Sequence, residues 1–102
     1  MYLHLKSKIQ SQKFISLEIT PLHGVGSAAI FENINAVELK TKIDAFIVTD
    51  SPLARLKSDS VITAFKLQEY FSKPAVATVT MRDRNKIALQ STLLGANELG
   101  VT

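Results

Sequence analysis

The chain has 102 residues, 46% hydrophobic and 21% charged, a composition that suits one soluble globular domain and leaves no room for a second. No apolar run approaches the ~20 residues of a membrane span, the first ten residues (MYLHLKSKIQ) alternate charge with leucine instead of building a signal-peptide core, and the absence of cysteine excludes disulfides, a thiolate nucleophile and sulfur-ligated zinc. The lack of such a span or core makes the cytoplasm the expected compartment and leaves no membrane partner expected, and the formal charge of +3 is spread through the chain and mixed with acids, with no aromatic residues interleaved for base stacking, so no nucleic-acid partner is expected either.

In chain order, a short amphipathic segment with Tyr2, Leu5 and Ile9 comes first. Phe14 to Thr20 (FISLEIT) is rich in β-branched and aromatic residues and is closed by Pro21, which predicts a strand. Gly24 and Gly26 punctuate a loop. From about Ser27 to Lys40, Ile30, Ile34 and Val37 recur at helical spacing, with Phe31 widening the stripe. Asp44 to Asp50 (DAFIVTD) is a second strand, whose near-continuous apolar centre fits a parallel sheet covered on both sides. Pro52 stops it. Ser58 or Asp59 then caps a helix that runs to about Ser72, with Val61, Ala64, Phe65, Leu67, Gln68 and Phe71 on its inner face. Pro74 to Met81 is a third strand. After the polar Arg82–Asn85 loop, Asn85 or Asp83 caps a last helix through Gly100, with Leu89, Leu93 and Ala96 on one face.

This alternation predicts parallel β/α units with right-handed crossovers, either as an open doubly wound sheet or as the opening portion of a barrel of eight such units. Both place ligands at the carboxyl ends of the strands. Thr20, Pro21, Thr49, Asp50, Ser51, Thr80, Arg82 and Asp83 are therefore the first positions to consider for function.

Glu18 is the unusual residue near that rim. It interrupts an apolar strand and shares a face with Ser16 and Thr20. A carboxylate held in a sheet interior has its pKa raised by desolvation and can act as a general acid, whereas one at a polar edge is merely solvated. Gly24, Gly26 and Ala29 match G-x-G-x-x-A in outline, but four residues separate the strand from the first glycine, where a dinucleotide fingerprint needs an immediate turn. Thr20 to His23 spells the ankyrin string T-P-L-H and does not recur, so no repeat is read from it. His4 and His23 have no partner for a metal site or a catalytic triad.

Three strings resemble the N-terminal third of the methylenetetrahydrofolate reductase family: SLEITP, DAFIVTDSPLARL and TMRDRNKIALQSTLLGANELGV. The family forms are S-x-E-x-x-P-P, V-T-D-(N/S)-P-x-A-R and (T/C)-R-D-R-N-x-x-A-L-Q-S-x-L-L-G-A-x-x-L-G. The likeness runs from about Ser16 to Val101. It implies the first three units of a (β/α)8 TIM barrel that binds FAD and reduces 5,10-methylenetetrahydrofolate to 5-methyltetrahydrofolate, with reduced nicotinamide or another electron donor and a homo-oligomeric assembly. By the same resemblance Glu18 stands for the glutamate that assists protonation of the folate, opening its five-membered ring to an iminium that accepts hydride. Thr49 matches the threonine beside the flavin, and Asp50 follows it. Thr78 stands where many members carry a flavin-contacting histidine, and Leu22 replaces the second proline of the first string. The family's next strand carries L-x-G-D, so the expectation is of a barrel domain interrupted before its fourth strand and inactive on its own. Two alternatives remain beside this: a non-catalytic fragment or subunit that associates through open sheet edges, and a small flavodoxin-like binding domain.

Overall fold

A computed structural model describes residues 2–11, 13–36 and 42–102. Val37 and Lys40, at the end of the expected second helix, and the side chains of Tyr2 and His4 lie outside the described residues. The elements are α1 (Tyr2–Gln10), β1 (Ser16–Ile19), α2 (Ala28–Ala36), β2 (Ala45–Val48), a 3-10 turn (Pro52–Ala54), α3 (Ser60–Phe71), β3 (Ala75–Ala77) and α4 (Lys86–Glu98). The strands form a three-stranded parallel sheet in the order β1-β2-β3, the arrangement expected of successive β/α units.

Local chemistry sets most of these boundaries. Pro21 and Pro74 are buried at the end of β1 and the start of β3, where the missing N–H interrupts no ladder. Asp59 caps α3 by accepting from the Ile62 N–H at 2.9 Å, and Asn85 caps α4 by accepting from the Ala88 N–H at 2.8 Å. Ser72 ends α3 in a left-handed conformation, with its N–H donating to the Gln68 carbonyl. The strands are shorter than the apolar runs suggest. In particular β3 ends at Ala77 rather than reaching Met81. Beyond it the Thr80 N–H donates to the Asp50 side chain instead of to a strand carbonyl.

The core lies between one face of the sheet and α2 and α3. Ile19, Phe46, Val48 and Ala75 meet Ile30 and Ile34 from α2 and Ala64 and Leu67 from α3. Phe46 and Leu67 are nearly inaccessible, and side chains of this size each contribute about 1.5–3 kcal/mol on burial. Phe31 bridges the two helices by stacking on Tyr70 at 4.7 Å between ring centroids, and Phe71 meets both Phe31 and Phe46 edge-on or tilted. Gln68 holds the sheet end together. Its side-chain carbonyl oxygen accepts from the Ala75 N–H at 3.2 Å, and its amide donates to the Gly100 carbonyl at 3.1 Å.

On α4, Leu89 and Ala96 of the expected face are half-buried and Leu93 is exposed, with no residue of the helix fully buried. One expectation about packing is corrected. The sheet is covered on one side over β1 and not on both: Ser16, Glu18 and Thr20 are exposed, while Ile47 and Val76 on the same face are half-buried. In α1, Leu5 is buried and Ile9 is exposed. No described helix is long and apolar enough to cross a membrane.

Candidate functional site at the carboxyl ends of the strands

The strand register gathers the sequence-predicted residues on one rim. Glu18 pairs with Ile47 across the β1–β2 ladder, so it lies on the neighbouring strand, two positions before the level of Thr49. The Thr49 N–H continues the ladder to the Ile19 carbonyl at 2.9 Å, and its Oγ1 lies 3.3 Å from the Thr20 Oγ1 and 3.4 Å from the Ile19 carbonyl. On the other side of β2, Thr78 donates to the Val48 carbonyl through both its N–H, at 3.0 Å, and its Oγ1, at 2.9 Å. Side-chain alternation places Glu18, Ile47, Thr49, Val76 and Thr78 on the face of the sheet opposite α2 and α3.

Glu18 is exposed. The enclosure that would make it a desolvated acid is not formed by the described residues, because the open face carries no covering layer over β1. Its place on the rim therefore rests on register and not on burial.

The most strongly held residue of the rim is Asp50. It is 8% exposed and accepts from four donor groups: Arg84 Nη1 at 2.6 Å, Arg84 Nη2 at 3.4 Å, the Thr80 N–H at 2.8 Å and the Thr80 hydroxyl at 3.2 Å. Arg84 Nη1 also donates to the Thr80 carbonyl at 2.7 Å. Burial alone would push the Asp50 carboxyl up. The Arg84 hydrogen bond, the Thr80 N–H and the guanidinium charge outweigh burial and hold the carboxyl below its ordinary 3.8. The same hydrogen bond from Arg84 to Asp50 raises the guanidinium pKa further against its own desolvation. The pair is thus ionised on both sides, and it ties the end of β2 to the loop that starts α4.

Arg82 lies beside this clamp. Its Nη2 donates to the Ser51 carbonyl at 3.0 Å, and its Nε approaches Asp83 at 3.4 Å. Asp50, Ser51, Thr80, Arg82, Asp83 and Arg84 together line a polar cleft of about 160 Å3.

The loop after β1 supplies no comparable geometry. Gly26 takes a left-handed φ of 96°, which explains a glycine there, but a side chain at either Gly24 or Gly26 would meet nothing within 4 Å. A phosphate cradle uses glycine for close backbone approach, and this loop has no such approach among the described residues. His23 is exposed.

Sequence reasoning reached Glu18, Thr49, Asp50 and Thr78 but did not single out Arg84. The signal was available: an aspartate just after one strand and an arginine in the loop that follows the neighbouring parallel strand share the carboxyl rim and can meet there. Ser60, buried and donating to the Thr78 carbonyl at 2.8 Å, also stands outside the sequence expectations, which named only Ser58 or Asp59 at this helix start.

Compared with protein-family models, with curated proteins and with solved structures, the chain gives no match.

Proposed function

We propose that the chain is the N-terminal part of a β/α barrel flavoprotein of the methylenetetrahydrofolate reductase type, reducing 5,10-methylenetetrahydrofolate to 5-methyltetrahydrofolate. The observation that carries this reading is the Asp50–Arg84 clamp. Two of the three strings that resemble the family, the one ending β2 and the one following β3, are joined by it into one rim, and the third string brings Glu18 to the same rim through the β1–β2 register. Ligands of parallel β/α folds sit at that end of the strands.

A larger sheet is in keeping with the outer edge of β3, where the backbone pairs beyond the three strands. The Ala77 N–H, which points away from β2, donates to the Thr102 carbonyl at 2.9 Å, and Val101 packs against the core. This pairing at Thr102 supports a reading in which a further parallel strand follows β3.

The residues of the open face suit a flavin. Ile47 and Val76 offer a half-buried apolar surface for a flat ring. The Thr49 and Thr78 hydroxyls, each with its proton committed to a carbonyl or a neighbouring hydroxyl, keep lone pairs for a ring N–H. FAD, when bound, supplies hydride to the substrate. The chain's own part is to orient and to protonate: the Glu18 carboxyl delivers a proton to the folate ring nitrogen, Thr49 and Thr78 fix position, and the Asp50–Arg84 pair keeps the two loops in register. Further strands of such a barrel would close over the open face that carries Glu18.

The test is to purify full-length protein and read its flavin absorbance, then add methylenetetrahydrofolate to the photoreduced protein without oxygen. Return of the oxidised flavin spectrum supports the reading, and a colourless protein with no such activity refutes it.

A further inference from the structure

The cleft between the loops after β2 and β3 has a surplus of hydrogen-bond donors. Asp50 is saturated by Arg84 and Thr80, so its carboxylate is spent and the pair carries no net charge. Three donor groups on residues that line the same cleft make no hydrogen bond as donors among the described residues. Arg82 uses Nη2 and Nε, leaving Nη1 without an acceptor. Arg84 uses Nη1 and Nη2, leaving Nε. The Ser51 hydroxyl oxygen accepts from the Lys57 N–H at 3.4 Å and donates to no protein group. On the acceptor side, the uncommitted capacity is the Asp83 carboxylate, whose side chain is 85% exposed and whose contact with Arg82 is 3.4 Å long. An exposed pair of that length is weak and easily exchanged. The cleft measures about 160 Å3, where one ordered water needs only about 10–15 Å3, so it admits a polyatomic group.

We propose that this cleft is an oxyanion subsite, in which a phosphate or carboxylate group of a ligand takes Arg82 Nη1 and the Ser51 hydroxyl, with Asp83 as the internal competitor that the anion displaces from Arg82. Guanidinium is suited to such groups because its planar fork matches two oxygens at once. The proposal adds to the flavoprotein reading a place for the charged part of a ligand: the diphosphate of a dinucleotide cofactor and the carboxylate tail of a folate both present the required chemistry. Asp83 makes the subsite selective by opposing anions too weak to break its contact with Arg82.

The experiment is a titration of flavin-free, full-length protein with inorganic phosphate and, separately, with acetate, at constant ionic strength, followed by amide NMR shifts of residues 50–55 and 80–86. Saturable binding of at least one anion is expected. The Arg82→Gln protein should bind at least about tenfold more weakly, and the Asp83→Asn protein about two- to fivefold more tightly. Arg82 and Asp83 are both on the surface, and unchanged spectra elsewhere will show that each variant is folded. Preference for phosphate assigns the subsite to a phosphate-bearing ligand, and preference for acetate to a carboxylate-bearing one. Absence of saturation with both anions, or equal binding by the Arg82→Gln protein, overturns the proposal. Because no flavin is used, failure here leaves the flavin assignment standing, and a protein that never binds flavin leaves the subsite testable.

Discussion

Arg84 reaches back 34 residues to Asp50 and places Nη1 2.6 Å from its carboxylate. The contact joins the carboxyl end of β2 to the loop between β3 and α4, and its consequences for stability and pH dependence are direct.

Removing the cation should be costly. Asp50 has a side chain only 6% exposed and Arg84 one 21% exposed, so Arg84→Met leaves a largely buried carboxylate without its counter-charge. A loss of about 3 kcal/mol is expected, near the lower end for breaking a buried pair because the guanidinium keeps some contact with water. Urea unfolding at neutral pH measures it. Arg84→Lys should recover only part of the loss, because lysine cannot reproduce the two-nitrogen contact. A change within about 0.5 kcal/mol for Arg84→Met, the range of an ordinary surface substitution, would show that the pair contributes little.

The pH dependence follows from the lowered Asp50 pKa. A carboxylate whose folded pKa lies below its unfolded value contributes stability that is present above the unfolded value, near 3.8, and is lost as pH falls through the lower folded value. Between neutrality and pH ~5 this contribution should be constant, and it should drop away below about pH 4. Asp50→Asn should flatten that acid limb of the stability curve. An unchanged acid limb in the variant would assign the acid sensitivity to other carboxylates.

Gln68 offers a test of the fold separate from the rim. Its side chain satisfies the buried Ala75 N–H and holds Gly100. Replacing it with leucine conserves much of the volume but strands a buried donor, for which a loss of about 1–3 kcal/mol is expected. Hydrogen exchange at the Ala75 amide should accelerate in step. A Gln68→Leu protein as stable as the parent would mean that the contact is not formed.

Glu18 should behave in the opposite way. It is exposed and makes no hydrogen bond among the described residues, so Glu18→Gln should leave the unfolding midpoint unchanged. If Glu18 supplies the proton, turnover of methylenetetrahydrofolate should fall by about 100-fold or more, the range of general acid catalysis, while flavin binding persists. Equal turnover would remove Glu18 from the chemistry.

How much of this was legible in the sequence differs by element. The helix starts at Asp59 and Asn85 and the strand limits at Pro21 and Pro74 could be read because their signals are local: a side-chain oxygen for orphan N–H groups, or a missing N–H. The inner face of α3 was legible for Val61, Ala64, Leu67 and Gln68, since period alone sets it. The end of β3 was not, because Thr80, which looks like a continuation of the strand, spends its N–H on a side chain 30 positions away, a contact that no window along the chain contains. The same is true of Arg84. Asp83 stands between two arginines in the sequence, and it meets Arg82 while Arg84 crosses to Asp50. For α4, helical period sets which residues share a face but not how deeply that face is covered: Leu89 and Ala96 are half-buried and Leu93 is exposed.

The proposed role of this rim in holding a flavin and a folate is tested most directly by the spectrum of photoreduced full-length protein mixed anaerobically with methylenetetrahydrofolate, in parent and Glu18→Gln forms. A yellow protein whose reduced flavin is reoxidised by the folate, quickly in the parent and slowly in the variant, is the predicted result. A protein that binds no flavin, or whose reduced flavin is unchanged by the folate, would contradict it.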